Sequence, residues 1–328
     1  MSSFYVQADV ETELRTFMKE NDVNKMSFTL KNMKHETCLD IDLGLHKDEA
    51  IAVASSSKWV TSTLILRLVD QKKLSLDDTT GKILGWKGEK SKITLHQLLN
   101  ALSNLPAENP CILNPEVPFR WCVNEIYENK TPLTKDAFNY GSSHFHVAAR
   151  MAEVATGKSW NEIVQTELKA PLKLESETFY YNIPSKRLKG QPLAAGGLVI
   201  STSDFFKFLA MIADGGKDYV SSSLIQEQEK RNFNDRTTIT WSPFAEQGLS
   251  YEYGMGVWRE CLRPNCPQSP IVSSMGLFGF YPWLDRANGY YAILSVYHKP
   301  SFYRKTYPLM AKMRPELLKI SAACRNRK

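Results

Sequence analysis

Apolar and polar residues alternate in two parts of the chain, near its beginning and in its last third. The segments MSFTLKN (26–32) and CLDIDLGL (38–45) each show the two-residue period of a strand, and the polar Lys34-His35-Glu36 joins them as a turn. Strand patterns return at residues 253–261, 271–278 and 290–298. Asn288-Gly289 is a hairpin turn signal between the last of these strands and FYPWLD. The pattern therefore predicts strands at both ends of the chain.

Helical spacing fills the middle of the chain. Apolar residues recur every three to four positions at residues 10–20, 55–71, 94–102, 143–156, 160–169, 204–214 and 306–321. Residues 104–136 contain five prolines, and we expect them to run irregularly over the surface, as segments that shape a binding cleft often do. The order of elements predicts an α/β (α+β) fold, with an antiparallel sheet flanked by helices. Residues 1–60 and 196–328 would form the sheet domain, and residues 61–195 an inserted helical region.

Composition narrows the functional classes. The 328 residues are 43% hydrophobic and 23% charged, which is typical of a globular protein with a large core. The formal net charge of +6 is spread along the chain without a basic stripe interleaved with aromatics, so nucleic acid is not an expected partner. No run of 18 apolar residues predicts a membrane span. The chain start lacks a signal-peptide pattern, which slightly favours a cytoplasmic location. The oligomeric state is not predicted.

Cysteine and histidine spacing favours no metal site. The six cysteines include no Cys-x-x-Cys or Cys/His ligand spacing, and no glycine-rich nucleotide loop is present, so no cofactor is expected. Disulfides Cys111–Cys122 and Cys261–Cys266 are both compatible with the spacing, as are free thiols. His144 and His146 are two positions apart on a predicted helix and make a poor metal pair. We expect both histidines on the helix surface or lining a cleft.

The first candidate for chemistry is Ser55-Ser56-Ser57-Lys58. Residues i and i+3 share one face of a helix, so Lys58 would lie beside Ser55. A desolvated lysine can take the hydroxyl proton of Ser55, and the helix N-terminus favours the negative charge that develops on the attacking oxygen. The motif alone is equally compatible with a serine cap followed by an exposed lysine, because Ser-x-x-Lys also occurs by chance.

Five blocks in the same order give this motif its context. The first, IAVASSSKWVTSTLILRLVDQKKLSLDD, resembles the nucleophile helix of the superfamily of class C β-lactamases, DD-peptidases and β-lactamase-like serine esterases. The other four resemble later elements of that superfamily and are ITLHQLLNALSNL, AFNYGSSHFHVAARMAEVATGKSW, AAGGLVISTSDFFKFLAMIADGG and SSMGLFGFYPWLDRANGYYAILSVYH. Together they cover most of residues 50–298, and the superfamily's sheet-and-helix fold agrees with the pattern above.

The resemblance implies roles at individual positions. Ser55 matches the nucleophile, Lys58 the base, and Tyr140 the residue that passes a proton to the leaving group. The superfamily's third element falls at Ser274-Met275-Gly276, where the small Gly276 would let a substrate approach the strand. The amide of Leu277 would then form the oxyanion hole together with the amide of Ser55. Gly276 is also compatible with a simple strand bulge.

Two departures concern substrate binding. Ser142 occupies the position that is often Asn in the superfamily, and Ser274 replaces its usual basic or imidazole residue. A substrate carboxylate needs a fixed cation or several donors there. We therefore expect an uncharged acyl compound to fit better than a β-lactam, with Phe119 and Trp121 as apolar contacts over the cleft. A basic residue from elsewhere, such as Arg120 or Arg263, would overturn this expectation.

The resemblance therefore implies acyl transfer from a small-molecule ester or amide through an acyl-Ser55 intermediate, without a metal or organic cofactor. The acceptor is water in a hydrolase and a second substrate in an acyltransferase, and the sequence does not separate the two. A third alternative is a catalytically silent relative that uses the cleft for binding. Trp241, Trp258 and Trp283 would line an acyl pocket or pack in the core.

Overall fold

A computed structural model of the chain describes residues 3–133, 136–183, 190–249, 251–260 and 271–325. The strands among these residues are Met26–Asn32 (β1), Thr37–Leu43 (β2), Ala50–Ala52 (β3), Ala137–Asn139 (β4), Phe179–Tyr180 (β5), Leu198–Ser201 (β6), Thr238–Trp241 (β7), Glu252–Tyr253 (β8), Trp258–Arg259 (β9), Ile271–Ser273 (β10), Tyr281–Asp285 (β11) and Tyr290–Val296 (β12).

The main sheet has seven strands in the order β2-β1-β12-β11-β10-β9-β8, and every neighbouring pair is antiparallel. Strand β1 pairs with β12 from Met26↔Val296 to Asn32↔Tyr290, so the two ends of the chain meet in the middle of one sheet. All seven residues of β12 are buried. Since successive residues point to opposite faces, both faces of the sheet are covered. The antiparallel sheet built from both ends of the chain is thus confirmed.

Two smaller sheets lie outside the main one. The order β3-β6-β5 forms a three-stranded antiparallel sheet, and β4 pairs with β7 in parallel. Strand β5 comes from residues that the sequence places within the inserted helical region, whereas β3 and β6 come from the proposed sheet domain. The small sheet therefore joins the two parts.

The α-helices are Ser3–Glu20 (α1), Ser57–Asp70 (α2), Thr80–Leu84 (α3), Leu95–Leu99 (α4), Phe119–Glu128 (α5), Ser143–Thr156 (α6), Trp160–Ile163 (α7), Thr202–Ala213 (α8), Ser222–Glu229 (α9) and Tyr303–Arg325 (α10). Short 3₁₀ turns lie at Ala54–Ser56, Glu89–Lys92, Pro110–Leu113 and Ala245–Gln247, and Val164–Lys169 is π-helical. Helix α10 packs against β1, β2 and β11, and α8 against β12. No helix among the described residues is long and apolar enough to cross a membrane.

The Pro-rich segment contains more structure than its sequence predicts. Helix α5 begins directly after Pro118, which occupies the N-cap position and so leaves the helix interior free of proline. Its inner face is buried through Cys122, Val123 and Ile126. The expectation of a wholly irregular stretch at residues 104–136 is therefore wrong. The segment between Pro118 and Pro132 contains no proline and is long enough to form a helix.

Two disulfides join cysteines among the described residues. Cys111 pairs with Cys122, one of the pairings that the spacing allows, and Cys38 pairs with Cys324 across 286 positions. The second bridge joins β2 to α10. Cys261 and Cys266 lie outside the described residues. Disulfides are typical of oxidising compartments, and the location of the protein itself stays a prediction.

The long bridge should dominate the contribution of the disulfides to stability. Replacing both Cys38 and Cys324 by Ser is expected to lower the free energy of unfolding by roughly 4 kcal/mol, because a closed loop of this length removes much conformational entropy from the unfolded chain. The Cys111→Ser/Cys122→Ser pair should lose only roughly 2–3 kcal/mol, since its loop is short. Urea denaturation of both double variants checks this order, and a larger loss from the short bridge would contradict it.

Candidate active site

A cavity of about 490 Å³ lies where the 3₁₀ turn before α2, the residues after β4 and the residues after β10 come together. Five of the residues predicted from the sequence line it, namely Ser55, Lys58, Tyr140, Ser142 and Leu277. Much of the remaining wall is apolar and includes Leu113, Trp241, Phe244, Trp258, Met275 and Phe278. The fold thus gathers residues more than 200 positions apart around one space.

Ser55 sits in the 3₁₀ turn that leads into α2. The preceding Ala54 has a φ of +46°, a left-handed conformation that costs roughly 1–2 kcal/mol in a residue with a side chain. Hydrogen bonds hold the turn in place. Ser57 Oγ donates to Ala54 O at 2.5 Å and accepts from Leu198 N at 3.0 Å, and Val53 N donates to Leu198 O. Strand β6 therefore fixes the strained turn that presents Ser55.

Lys58 is buried directly behind Ser55. Its Nζ lies 3.2 Å from Ser55 Oγ and donates to Ala195 O at 3.0 Å. The same nitrogen lies 4.6 Å from the centre of the Tyr140 ring and 5.7 Å from that of Phe145. The aromatic faces stabilise a cation without pairing it with a carboxylate, and the hydrogen-bond distance to Ser55 allows proton exchange between the two groups.

Tyr140 follows β4 and is held by the residue that ends β7. Its amide donates to Trp241 O at 3.1 Å, and its ring packs against Trp258 at 5.0 Å between centroids. The Tyr140 hydroxyl has no hydrogen-bond partner among the described residues, and the ring lines the cavity. The hydroxyl is therefore free to contact a ligand in the cavity.

Ser142 contacts an acidic residue that the sequence analysis missed. Both its amide and its hydroxyl donate to Glu108 Oε1 at 2.9 Å. Protein packed around Glu108 raises the pKa of its carboxyl, although its side chain is still reached by solvent, while the Lys58 ammonium and the bonds from Ser142 oppose that rise. Glu108 lies three positions after the ITLHQLLNALSNL block, and this proximity was the signal that could have identified it.

Ser274, in the third element, holds the 3₁₀ turn that contains Ser55 through hydrogen bonds. Ser274 Oγ donates to Ser55 O at 3.1 Å, and Ser56 Oγ donates to Ser274 O at 2.5 Å. A Cβ at Gly276 would lie 2.3 Å from Val53 O. Neither Ser274 nor Gly276 lines the cavity. The missing side chain of Gly276 thus admits the backbone of the turn that contains Ser55, and the approach of a substrate to this strand stays a prediction.

Two backbone amides near Ser55 are unoccupied. Neither the amide of Ser55 nor that of Leu277 donates a hydrogen bond to any described residue. Leu277 lies in the cavity wall with 39% of its surface exposed. Amides without a protein acceptor at the mouth of such a cavity are suited to bind a developing oxyanion.

The sequence model of the family described as Beta-lactamase matches residues 42–311. The chain belongs to the beta-lactamase family. The match includes the positions of Ser55, Lys58, Tyr140 and Ser274. The teichoic acid D-alanine hydrolase of Staphylococcus aureus is 23% identical over 274 residues, which make up 76% of this chain and 59% of that protein. The chain therefore spans less than two thirds of the length of the curated relatives that it matches first.

Solved structures share the beta-lactamase-like fold over nearly the whole chain. A proposed beta-lactamase from Bacteroides dorei DSM 17855 superimposes with a TM-score of 0.82 at 24% identity, covering 95% of this chain and 98% of that one. EstCE1, described as a hydrolase with promiscuous acyltransferase activity, gives a TM-score of 0.75 at 13% identity, with coverage of 96% and 99%. At these identities the likeness concerns the fold.

The charged and aromatic residues that line this cavity differ from those that we expected from the sequence. Arg304, at the start of α10, lines the cavity, but its Nη2 lies 2.8 Å from Glu246 Oε2, so the cation is already paired. Arg120 and Trp121 line a separate cavity beside α5, and Arg263 lies outside the described residues. The expectation that Trp121 contacts the site is therefore wrong, because α5 turns this side chain away from the site.

The other aromatic candidates divide between the cavity and the core. Phe119 packs edge-on against His146 at 4.5 Å between centroids and does not line the Ser55 cavity. Trp241 and Trp258 do line it. Trp283 instead stacks on Phe28 at 5.9 Å within the main sheet.

Both histidines of α6 are fully buried, contrary to the expected surface or cleft-lining position. Helix α6 packs against α2, α4 and α5, so little of its circumference is exposed. His144 Nε2 donates to Asn139 O at 2.7 Å, which leaves Nδ1 to accept from Ser103 Oγ at 2.7 Å. His144 therefore connects the residue before Tyr140 to the Ser103 segment, and it does so as a neutral ring.

Acid should destabilise the protein through these histidines. Burial lowers the pKa of His144 and of His146 to about 4, so the unfolded chain takes up protons below about pH 6.5 while the native state does not. Each histidine is expected to remove about 3 kcal/mol of folding free energy as the pH falls from 7 to 4. Urea denaturation across this range should show a shallower pH dependence for His146→Gln. His46→Gln, an exposed control, should keep the original slope.

Proposed function

We propose that the chain is a serine hydrolase that cleaves a small-molecule ester or amide through an acyl-enzyme. The single observation that carries the proposal is the 3.2 Å contact between Lys58 Nζ and Ser55 Oγ at a cavity that also contains Tyr140. A buried amine at that distance is placed to accept the hydroxyl proton as Ser55 attacks a carbonyl carbon. No described residue other than Lys58 makes a hydrogen bond to Ser55 Oγ.

The reaction then proceeds in two half-reactions. Ser55 Oγ bonds to the carbonyl carbon, and the amides of Ser55 and Leu277 bind the resulting oxyanion. The bond to the leaving alcohol or amine breaks, and Tyr140 passes the leaving group the proton that Lys58 took from Ser55. Water next attacks the acyl-Ser55 carbonyl, giving up a proton through the same groups, and this releases the carboxylic acid and restores the Ser55 hydroxyl. In each half-reaction Lys58 and Tyr140 together pass on one proton, first from Ser55 to the leaving group and then from water to Ser55, and both return to their starting state.

The relatives support hydrolysis as the main outcome. The Staphylococcus aureus relative is named as a hydrolase of D-alanine on teichoic acid, and EstCE1 is described as a hydrolase with additional acyltransferase activity. The acyltransferase alternative uses the same acyl-Ser55, with an alcohol in the place of water. A catalytically silent relative would not need the Ser55–Lys58 contact to be retained within hydrogen-bond distance.

The wall of the cavity favours substrates that lack a carboxylate. Arg304 is occupied by Glu246, and Glu108 adds a negative charge to the wall. A carboxylate of a β-lactam would meet this negative charge and mostly apolar surface, and would find no unpaired cation other than Lys58 among the described lining residues. Esters with short uncharged acyl groups fit the same wall without this desolvation penalty.

The nucleophile and its proton-transfer partners can be tested together. A serine-directed phosphonate should add one covalent label, on Ser55, as located by mass spectrometry of peptides. Lys58→Met and Tyr140→Phe should each lower kcat for an aryl ester about 100-fold, because each removes a proton-transfer step. Thermal unfolding shows whether the variants retain the native fold.

Ser55→Ala is the matched control for the specificity of the label. It should abolish both labelling and turnover. Labelling of another serine, or ester turnover by Ser55→Ala, would refute the assignment of the nucleophile. Normal turnover in Lys58→Met or in Tyr140→Phe would refute the role of that residue alone.

The preference for uncharged substrates is testable at Arg304. The wild-type kcat/KM should be higher for p-nitrophenyl butyrate than for nitrocefin. Glu246→Gln should raise the nitrocefin value relative to the ester, roughly threefold to tenfold, because it releases Arg304 to meet the substrate carboxylate. Glu316→Gln, which alters a surface pair with Lys319, is the control and should leave the ratio unchanged. Faster nitrocefin turnover by the wild type would show that the preference is wrong.

A further inference from the structure

Glu108 is the one acidic residue among the described residues that line the cavity. The cationic lining residues, Lys58 and Arg304, already have partners in Ser55, Ala195 and Glu246. No cationic side chain among the described residues lies within ion-pair distance of Glu108. The cavity therefore contains a carboxylate that the protein has positioned but has not neutralised.

The backbone fixes Glu108 beside the Tyr140 segment. Ala107 O accepts hydrogen bonds from Ser142 N at 2.8 Å and from Ser143 N at 3.0 Å. A Cβ at Gly141 would lie 2.2 Å from Ala107 O, so the loop carrying Glu108 docks closely only because position 141 has no side chain. The backbone at Glu108 thus has a place set by main-chain contacts, although the side chain itself is exposed.

Only one of the two carboxylate oxygens is occupied. Ser142 N and Ser142 Oγ both donate to Oε1 at 2.9 Å. Oε2 accepts no hydrogen bond from any described residue. A carboxylate accepts bonds at both oxygens, and the Glu108 side chain is exposed, so Oε2 is open to a donor on a ligand that enters the cavity. The strongest such donor is a cationic one, which adds charge pairing to the hydrogen bond.

Glu108 lies in the cavity where Ser55 would attack a substrate carbonyl. Glu108 is bonded to Ser142, two residues after Tyr140, and the Lys58 charge acts on the Glu108 carboxyl. Both groups lie within the same cavity as Ser55. An ammonium on the acyl group of a substrate held at Ser55 would therefore share the cavity with the Glu108 carboxylate.

We propose that Glu108 Oε2 binds the protonated amine of an aminoacyl substrate, so that the enzyme prefers esters or amides whose acyl group carries an ammonium close to the carbonyl. This inference rests on the proposed acyl-Ser55 function and refines it: an anionic substrate is disfavoured, a neutral one is accepted, and a cationic acyl group is selected. Glu108 acts in substrate recognition and takes no part in the proton transfers of Lys58 and Tyr140.

The test compares two esters that differ by one amine. Alanine p-nitrophenyl ester and propionic p-nitrophenyl ester have the same leaving group and carbon skeleton, and both enantiomers of the alanine ester are used because the argument concerns charge. The measured quantity is the ratio of kcat/KM for the amino ester to that for the neutral ester, after spontaneous hydrolysis is subtracted. Glu108→Gln, which keeps an acceptor for Ser142, should lower this ratio at least tenfold.

Matched controls separate recognition from other effects. Glu20→Gln, at the exposed end of α1, should leave the ratio at its wild-type value. An unchanged ratio in Glu108→Gln, including an equal fall for both esters, would overturn the proposal. A loss seen only with an amine on the alcohol side, as in 2-aminoethyl propionate, would also overturn it, because the amine would then be bound with the leaving group.

A measurement of ligand affinity tests the proposal even if neither ester is hydrolysed. In the Ser55→Ala variant, alaninamide should bind at least tenfold more tightly than propanamide in an NMR titration, and adding Glu108→Gln should remove that difference. Equal binding of the two amides would overturn the role of Glu108. If the wild type hydrolyses neither ester but this binding difference is present, the proposed hydrolase function fails while the ammonium site stands.

Discussion

Two reciprocal hydrogen bonds join the 3₁₀ turn that contains Ser55 to the residues after β10, and they hold the site together. Ser56 Oγ donates to Ser274 O, and Ser274 Oγ donates to Ser55 O. They join the start of α2 to the main sheet at the place where Gly276 allows the two backbones to meet. The geometry of the cavity depends on this junction, because one wall comes from α2 and another from the residues after β10.

Within that frame, the charged groups of the cavity have separate local partners. Lys58 is bonded to Ser55 and Ala195 and covered by aromatic faces, and Arg304 is held by Glu246. Aromatic and aliphatic side chains fill much of the space between them, so each charge acts mainly on what lies next to it. This separation lets one site combine the proposed base, the proposed oxyanion position and a carboxylate without mutual neutralisation.

The sequence predicts the fold and the central trio because those features have local signals. Two-residue periodicity marks the strands at both ends, and Ser55, Lys58 and Tyr140 lie in blocks whose order matches a known superfamily. Features that depend on distant contacts were missed. The pairing of Cys38 with Cys324 requires the sheet to bring residues 286 positions apart together.

The sequence analysis also missed residues whose position depends on how helices and loops are oriented in the fold. Arg304 and Glu108 carry no motif, and they reach the cavity because α10 begins at its edge and the Ala107 loop docks on Ser142. The burial of His144 and His146 likewise depends on how many helices surround α6, which periodicity within α6 does not record. The helix Phe119–Glu128 was hidden because the prolines around it dominate the local pattern.

The bridge from Cys38 to Cys324 also determines what a break in the backbone would do. A single proteolytic cut in any surface loop between these residues leaves two pieces that are still one covalent molecule. The pieces cannot diffuse apart, so each sees the other at a high effective concentration, and the paired β1 and β12 remain neighbours. A nicked chain can thus keep its site assembled, and the enzyme's lifetime in a protease-rich setting is governed by a second cut or by reduction, rather than by the first cut.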